Sequence, residues 1–279
     1  MRFSIQHRTH YSYNTPAVLS PHDLRFYPRD DGSQRVLQHQ LTIDPLPAGQ
    51  AWHMDAEGNR VLRVWFDKPV NDLSINVQMM VETTRTNPYN FILEPQSLTM
   101  PLDYGSEREL LSAYFRRATP DYEIDSLAAR FTQEAGGDPL RFLNLLNDFL
   151  HRDFRHERRE DGPPLPPAQT LRRRYGPCRD LTLLFMDCCR AGGIAARFAS
   201  GYRHAETLQE KRDLHAWPEA YLPGAGWRGF DPTHGEFIAD THVTIAASAR
   251  AAMTMPVIGH YSGAGVNATL EYRVNIESA

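Results

Sequence analysis

The stretch YGPCRDLTLLFMDCCRAGGIAARFASGY, residues 175–202, decides the fold. Gly176 and Pro177 supply a turn, after which Leu181, Leu184, Phe185 and Cys188 follow the i, i+3, i+4, i+7 spacing of a buried helical face. Cys178 therefore falls in the first turn of a helix. Unpaired backbone N–H groups and the positive end of the helix dipole favour a thiolate there, drawing its pKa below the ordinary value of about 8.5. The same N–H groups can serve an oxyanion, so the Cys178 amide is one candidate donor; the sequence identifies no second. Cys188 and Cys189 lie among Phe185, Met186 and Ala191 and read as packing residues. Along a helix Cys178 and Cys188 stand about 15 Å apart, roughly twice what a disulfide bridges, so all three thiols are expected to be reduced.

A thiol nucleophile needs a partner that takes its proton and later delivers one to the leaving group, and histidine suits that task near pH 7. Downstream, DLHAWPEAYL and WRGFDP read as two strands joined by the turn-rich PGAG, which makes a hairpin. His215 lies in the first strand, in an apolar and aromatic run where an idle imidazole is costly to desolvate. Asp231 ends the second, placed to orient the ring. Cys178, His215 and Asp231 are the candidate nucleophile, base and orienter. Taken singly each has a plainer reading: a core thiol, a histidine bonded to backbone, and an Asp-Pro turn. Arg179 and Asp180 read either as an exposed pair at the helix start or as residues that orient the site. Trp217 either covers the three residues or belongs to the core, while Tyr202 and Trp227 read as packing aromatics. His204, His234 and His242 show no spacing that assembles a metal site with the cysteines, and neither metal nor cofactor is expected.

Before the cysteine segment the chain changes character near residue 100. RVLQHQLTID, NRVLRVWFD and LSINVQMMVETT have strand-like alternation or β-branched and aromatic content, with turn chemistry at DDGS (30–33) and DAEGN (55–59). Residues 1–100 read as an antiparallel β domain of sandwich type. Ser106 and Glu109 have the spacing of a capping box. IDSLAARFTQEAGG ends in helix-stopping glycines, and GDPLRFLNLLNDFLHRDF offers Asp138 as N-cap, Pro139 at the first helical position and an apolar face with Leu143, Leu146 and Leu150. A loop containing DGPPLPP leads on to Cys178. Strict alternation from Val266 to Ile276 predicts one last strand, and residues 101–279 read as one α+β domain.

Composition narrows the partners. With 279 residues and 41% hydrophobic content, the chain can bury a substantial core. Thirty Lys plus Arg stand against thirty-four Asp plus Glu with no long run of one sign, so nucleic acid is not an expected partner. The opening MRFSIQHRTHYSYN has charges and histidines where a signal peptide needs an apolar stretch, and no segment approaches a membrane span. The expectation is a cytoplasmic protein.

GPCRDL, CCRAGGIAARFASGY, DLHAWPEAYLPGAGWRGFDPT and, in the first half, DAEGN together resemble the bacterial transglutaminase-like proteins, which carry a β-rich region ahead of their catalytic domain. The resemblance covers most of the chain. It implies a papain-like core of helices packed on an antiparallel sheet, with Cys178, His215 and Asp231 in the triad positions. There are two departures: relatives often have Phe-Ala-His after Cys-Arg-Asp, where this chain reads LTL, and Gly-Arg-Asp-Tyr near the C-terminus, where it reads ASARAAM. Members of this superfamily join amides to amines or hydrolyse peptide and amide bonds, and some have lost activity. The expected function is acyl transfer on a protein, peptide or small amide through a thioester; the alternatives are a peptidase of the same fold and a non-catalytic binding module.

Overall fold

The computed structural model describes residues 1–159, 162–204 and 214–278. Asp161 of the proline-rich loop and Asp213 of the expected strand lie outside the described residues. The first half is built from β1 (Arg2–Leu19), β2 (His22–Leu24), β3 (Gln34–Asp44), β4 (Gly49–Met54), β5 (Arg60–Trp65) and β6 (Val70–Thr83). Then follow α1 (Glu107–Leu110), α2 (Tyr122–Glu134), α3 (Pro139–Asp153), β7 (Arg155–His156), α4 (Pro167–Arg173), β8 (Tyr175–Gly176) and α5 (Cys178–Ala191). The chain continues through β9 (Ala196–Arg203), β10 (His215–Leu222), β11 (Gly226–Asp231), β12 (Glu236–Phe237) and β13 (His242–Ser248), and closes with β14 (Val257–Ile258), β15 (Tyr261–Ser262) and β16 (Ala268–Ser278).

Two antiparallel sheets form the first layer. One runs β15-β1-β6-β3 and the other β14-β2-β5-β4. Alternate residues Phe3, Ile5, Leu73, Ile75 and Val77 of the first meet Leu24, Leu62 and Val64 of the second in a core closed to solvent. The expected last strand exists, but not in the expected domain. β16 pairs with β1 over its whole length, Ile5 opposite Ile276, while β14 and β15 join β2 and β1. The division at residue 100 is therefore corrected: the chain from 257 onward returns to the first half's sheets. Alternation specifies that a segment is a strand and which face is apolar, but it does not name the partner.

The second half is an antiparallel sheet in the order β12-β11-β10-β9-β13, covered on one face by helices. Leu184, Phe185, Cys188 and Cys189 of α5 pack with Phe142, Leu146 and Phe230, the rings of Phe185 and Phe230 stacking at 5.5 Å. The other side of this sheet meets the β domain: Tyr202, Val243 and Ile245 enter its core, and the Tyr202 hydroxyl bonds His7 at 2.8 Å. Within the sheet, Gly201 of β9 lets β13 come close, since a Cβ there would lie 2.0 Å from the Val243 carbonyl oxygen.

The DAEGN turn fastens the two halves. Asp55 Oδ1 accepts from the Glu57 and Asn59 amides, at 3.0 and 2.9 Å, and shapes the turn. Glu57 then accepts from Ser248 Oγ at 2.8 Å, the Ala249 amide at 3.1 Å and the Tyr114 hydroxyl. The Asn59 amide closes a two-bond ring with the Ala247 backbone. The capping box at Ser106 does not form. Ser106 has helical angles where a cap needs extended ones, and its side chain makes no capping hydrogen bond. Asp121 and Asp138 do cap, accepting from Glu123 N and Arg141 N, with Pro139 opening α3.

Candidate active site

Pro177 is the extended residue before α5, so Cys178 opens the helix, where the first amides have no intrahelical acceptor. The hairpin β10–β11 turns at Gly224, whose φ of +85° a side chain would resist, and sets His215 and Asp231 on neighbouring strands. His215 Nε2 donates to Asp231 Oδ2 at 2.8 Å, which leaves Nδ1 for the hydrogen bond with the Cys178 sulfur. All three candidates meet.

The charges follow from these contacts. Burial by itself would raise the Cys178 thiol, but hydrogen bonds from His156 and His215, the charge on His215 and the Ala216 amide outweigh it and bring the group down to about 6. Burial would likewise lower His215, yet the adjacent carboxylate of Asp231 and the sulfur hold it up at about 10. Between those values the resting state is a thiolate facing an imidazolium.

Asp231 is the centre of a larger assembly than the sequence suggested. It is inaccessible to solvent, and besides His215 its Oδ2 accepts from His234 Nδ1 at 2.8 Å and His242 Nε2 at 3.1 Å. Its Oδ1 accepts from the Thr233 amide at 2.9 Å. Burial opposes its charge, but His215 and the other imidazole donors hold the carboxyl well below the usual range. His242, buried and pushed down by that burial, is a neutral donor. His234 and His242, which showed no spacing toward the cysteines, join His215 around this carboxylate. Atoms of His215, Asp231 and His234 lie within 4.8 Å of one another, as do those of Asp231, Glu236 and His242, so either set has ligand-like proximity. Each imidazole nitrogen has the same carboxylate oxygen as its partner, so hydrogen bonding accounts for the convergence. His234, three residues after Asp231 in the same turn, was visible in DPTHGE; His242, on another strand, gave no local signal.

Trp217 is buried against both His215 and His242, with ring centroids at 6.0 and 4.9 Å. It is core and wall of the site at once. Asp180 and Arg179 are not an exposed pair. Asp180 is buried and accepts from the Leu165 amide at 3.0 Å and Arg159 at 3.2 Å, while Arg179 donates to the Arg159 carbonyl at 2.7 Å. They tie the segment before α4 to the helix that carries Cys178. Tyr202 is buried as a packing aromatic, and Trp227 stacks under the Arg197 guanidinium at 4.2 Å. His204 lies against Phe3.

Residues 3–82 match the family model of the bacterial transglutaminase-like N-terminal region, and residues 125–232 that of the transglutaminase-like superfamily. Over 99% of its length the chain is 25% identical to an uncharacterized Mycobacterium bovis protein, of which it covers 92%. An uncharacterized Mycobacterium leprae protein is 24% identical over 95% of this chain and 94% of its own. A crystal structure from Cytophaga hutchinsonii, described provisionally as a cysteine protease, superposes with a TM-score of 0.73 over 99% of this chain and 90% of that one, at 23% identity. That likeness establishes the shared fold. Among the described residues no helix is long and apolar enough to cross a membrane.

Proposed function

Since its two matched segments make this chain a member of the transglutaminase-like superfamily, we propose that it is a cysteine-nucleophile acyl-transfer enzyme acting on amide bonds. One observation carries the reading: a thiol at a helix start, lowered to about 6, bonded to an imidazole that a buried carboxylate holds from behind. The Cys178 thiolate attacks an amide carbonyl. The tetrahedral intermediate collapses as the C–N bond breaks, the imidazolium of His215 gives its proton to the departing amine, and a thioester remains. His215, now neutral, takes a proton from water or from an acceptor amine, which attacks the thioester; the C–S bond breaks and the thiolate and imidazolium are restored. Asp231 fixes the ring and stabilises its charged form.

Hydrolysis and transamidation share every group named here, and they differ in which nucleophile reaches the thioester. A protein substrate such as casein, offered with a fluorescent primary amine, separates them: amine incorporation reports transamidation, while ammonia release or new N-termini without incorporation report hydrolysis. Either is expected to depend on Cys178. Full turnover by Cys178→Ala refutes the covalent mechanism, and retention of binding alone, with no acyl adduct in intact mass, favours a non-catalytic module.

A further inference from the structure

A second imidazole reaches the reacting sulfur. His156 acts on the Cys178 sulfur as a hydrogen-bond partner that lowers its pKa, and a short piece of parallel sheet brings it there. β7 pairs with β8, His156 standing opposite Gly176, and the Glu157 amide bonds the Gly176 carbonyl at 3.1 Å. Gly176 is two residues before Cys178, so this pairing fixes His156 at the start of α5. Arg155 and Glu157, on either side of it, pair with each other at 2.6 Å rather than with the site. His156 is exposed, whereas the side chain of His215 is 11% accessible and has Asp231 behind it.

The two imidazoles therefore differ in kind. The carboxylate backs His215, which suits it to carry positive charge and transfer a proton. His156 presents an N–H to sulfur from the solvent side, where a substrate carbonyl must arrive. When sulfur bonds to carbon, the carbonyl π pair moves to oxygen, and that oxygen lies within about 3 Å of the sulfur. A donor aimed at the thiolate is thus within reach of the oxyanion that replaces it. We infer that His156 is a further catalytic residue: its N–H is donated to the Cys178 thiolate at rest and to the carbonyl oxygen in the tetrahedral intermediate, beside the Cys178 amide. It keeps its proton throughout; the leaving amine takes the one on His215.

The inference rests on the proposed nucleophile, and the experiment separates the two. Alkylation by iodoacetamide consumes the thiolate without forming an oxyanion, whereas acylation by a p-nitrophenyl ester passes through one. Both rates are read at Cys178 by mass spectrometry, across pH, in wild type, His156→Ala and His156→Gln. At rest, loss of the donor is expected to move the alkylation profile up about one pH unit, so that thiolate at pH 5 falls about tenfold. At pH 9, where the thiolate is fully formed, alkylation of His156→Ala should match wild type while acylation falls about a hundredfold. Gln, which keeps an N–H donor, should recover most of that loss. Because His156 is exposed, neither variant disturbs the core. An unchanged ratio of acylation to alkylation at pH 9 overturns the oxyanion role, and an unmoved alkylation profile overturns the contact with sulfur. A wild-type Cys178 that labels no faster than an ordinary thiol instead overturns the proposed function.

Discussion

The two ends of α5 carry the same functional group in opposite states. At its start, Cys178 is lowered to about 6; ten residues on, burial raises Cys188 and its neighbour Cys189 above the ordinary thiol range. Burial acts in the same sense at both ends. What differs is the company: imidazoles and a backbone amide at one end, Phe142, Leu146 and other apolar side chains at the other. At a helix start with imidazoles beside it a thiol is set up as a nucleophile, and at the other end, among apolar side chains, it is packing material.

The harshest way to break the comparison is to remove its reactive end. Cys178→Ala and His215→Ala are each expected to lower turnover by on the order of 10⁴-fold or more, measured by amine incorporation or ammonia release with folding checked by circular dichroism. Asp231→Asn leaves nucleophile and base in place and is expected to lose about a hundredfold less than Cys178→Ala. Its cost appears also in stability. With three imidazoles converging on one buried oxygen, Asp231→Ala should destabilise the fold by about 3–5 kcal/mol, read from the urea midpoint.

Reactivity sharpens the contrast without mutation. At pH 6 iodoacetamide should modify Cys178 about a hundredfold faster than Cys188 or Cys189, by site-resolved mass spectrometry. Equal rates in native protein would abolish the distinction. Because the folded thiol is lowered to about 6, thiolate is lost as pH falls through that value; because His215 is raised to about 10, its acid proton is lost as pH rises through that one. Turnover should therefore form a plateau with limbs near 6 and 10. The smallest effect belongs to the inert end. Cys188→Ser places a hydroxyl in an apolar pocket, so about 1–3 kcal/mol of stability should be lost while turnover stays at the wild-type level.

The candidate site was legible where its parts are local. The Gly-Pro turn, the apolar spacing after it and the PGAG hairpin are short-range signals, and from them follow Cys178 at a helix start and His215 and Asp231 on adjoining strands. Other parts left no such trace. His156 meets Cys178 through a two-residue strand pairing 22 positions away in the chain, too short to announce itself as alternation. His242 on β13 meets Asp231 on β11, two strands with β10 and β9 between them in the sheet. Ser106 shows the converse: the right residues at the right spacing, set in a backbone conformation that cannot cap.

Periodicity, turns and caps act over a few residues, so the main helices and several long strands, the start of the helix carrying Cys178 and the hairpin that brings His215 and Asp231 together were readable from the chain. Tertiary structure decided the rest: that β16 belongs beside β1 rather than with the sheet that precedes it, that the DAEGN turn clasps the second half through Glu57 and Asn59, and that three histidines share one carboxylate oxygen. These are choices among distant partners, each with compatible local patterns. They are settled by which apolar faces can be buried together and which buried donors find an acceptor.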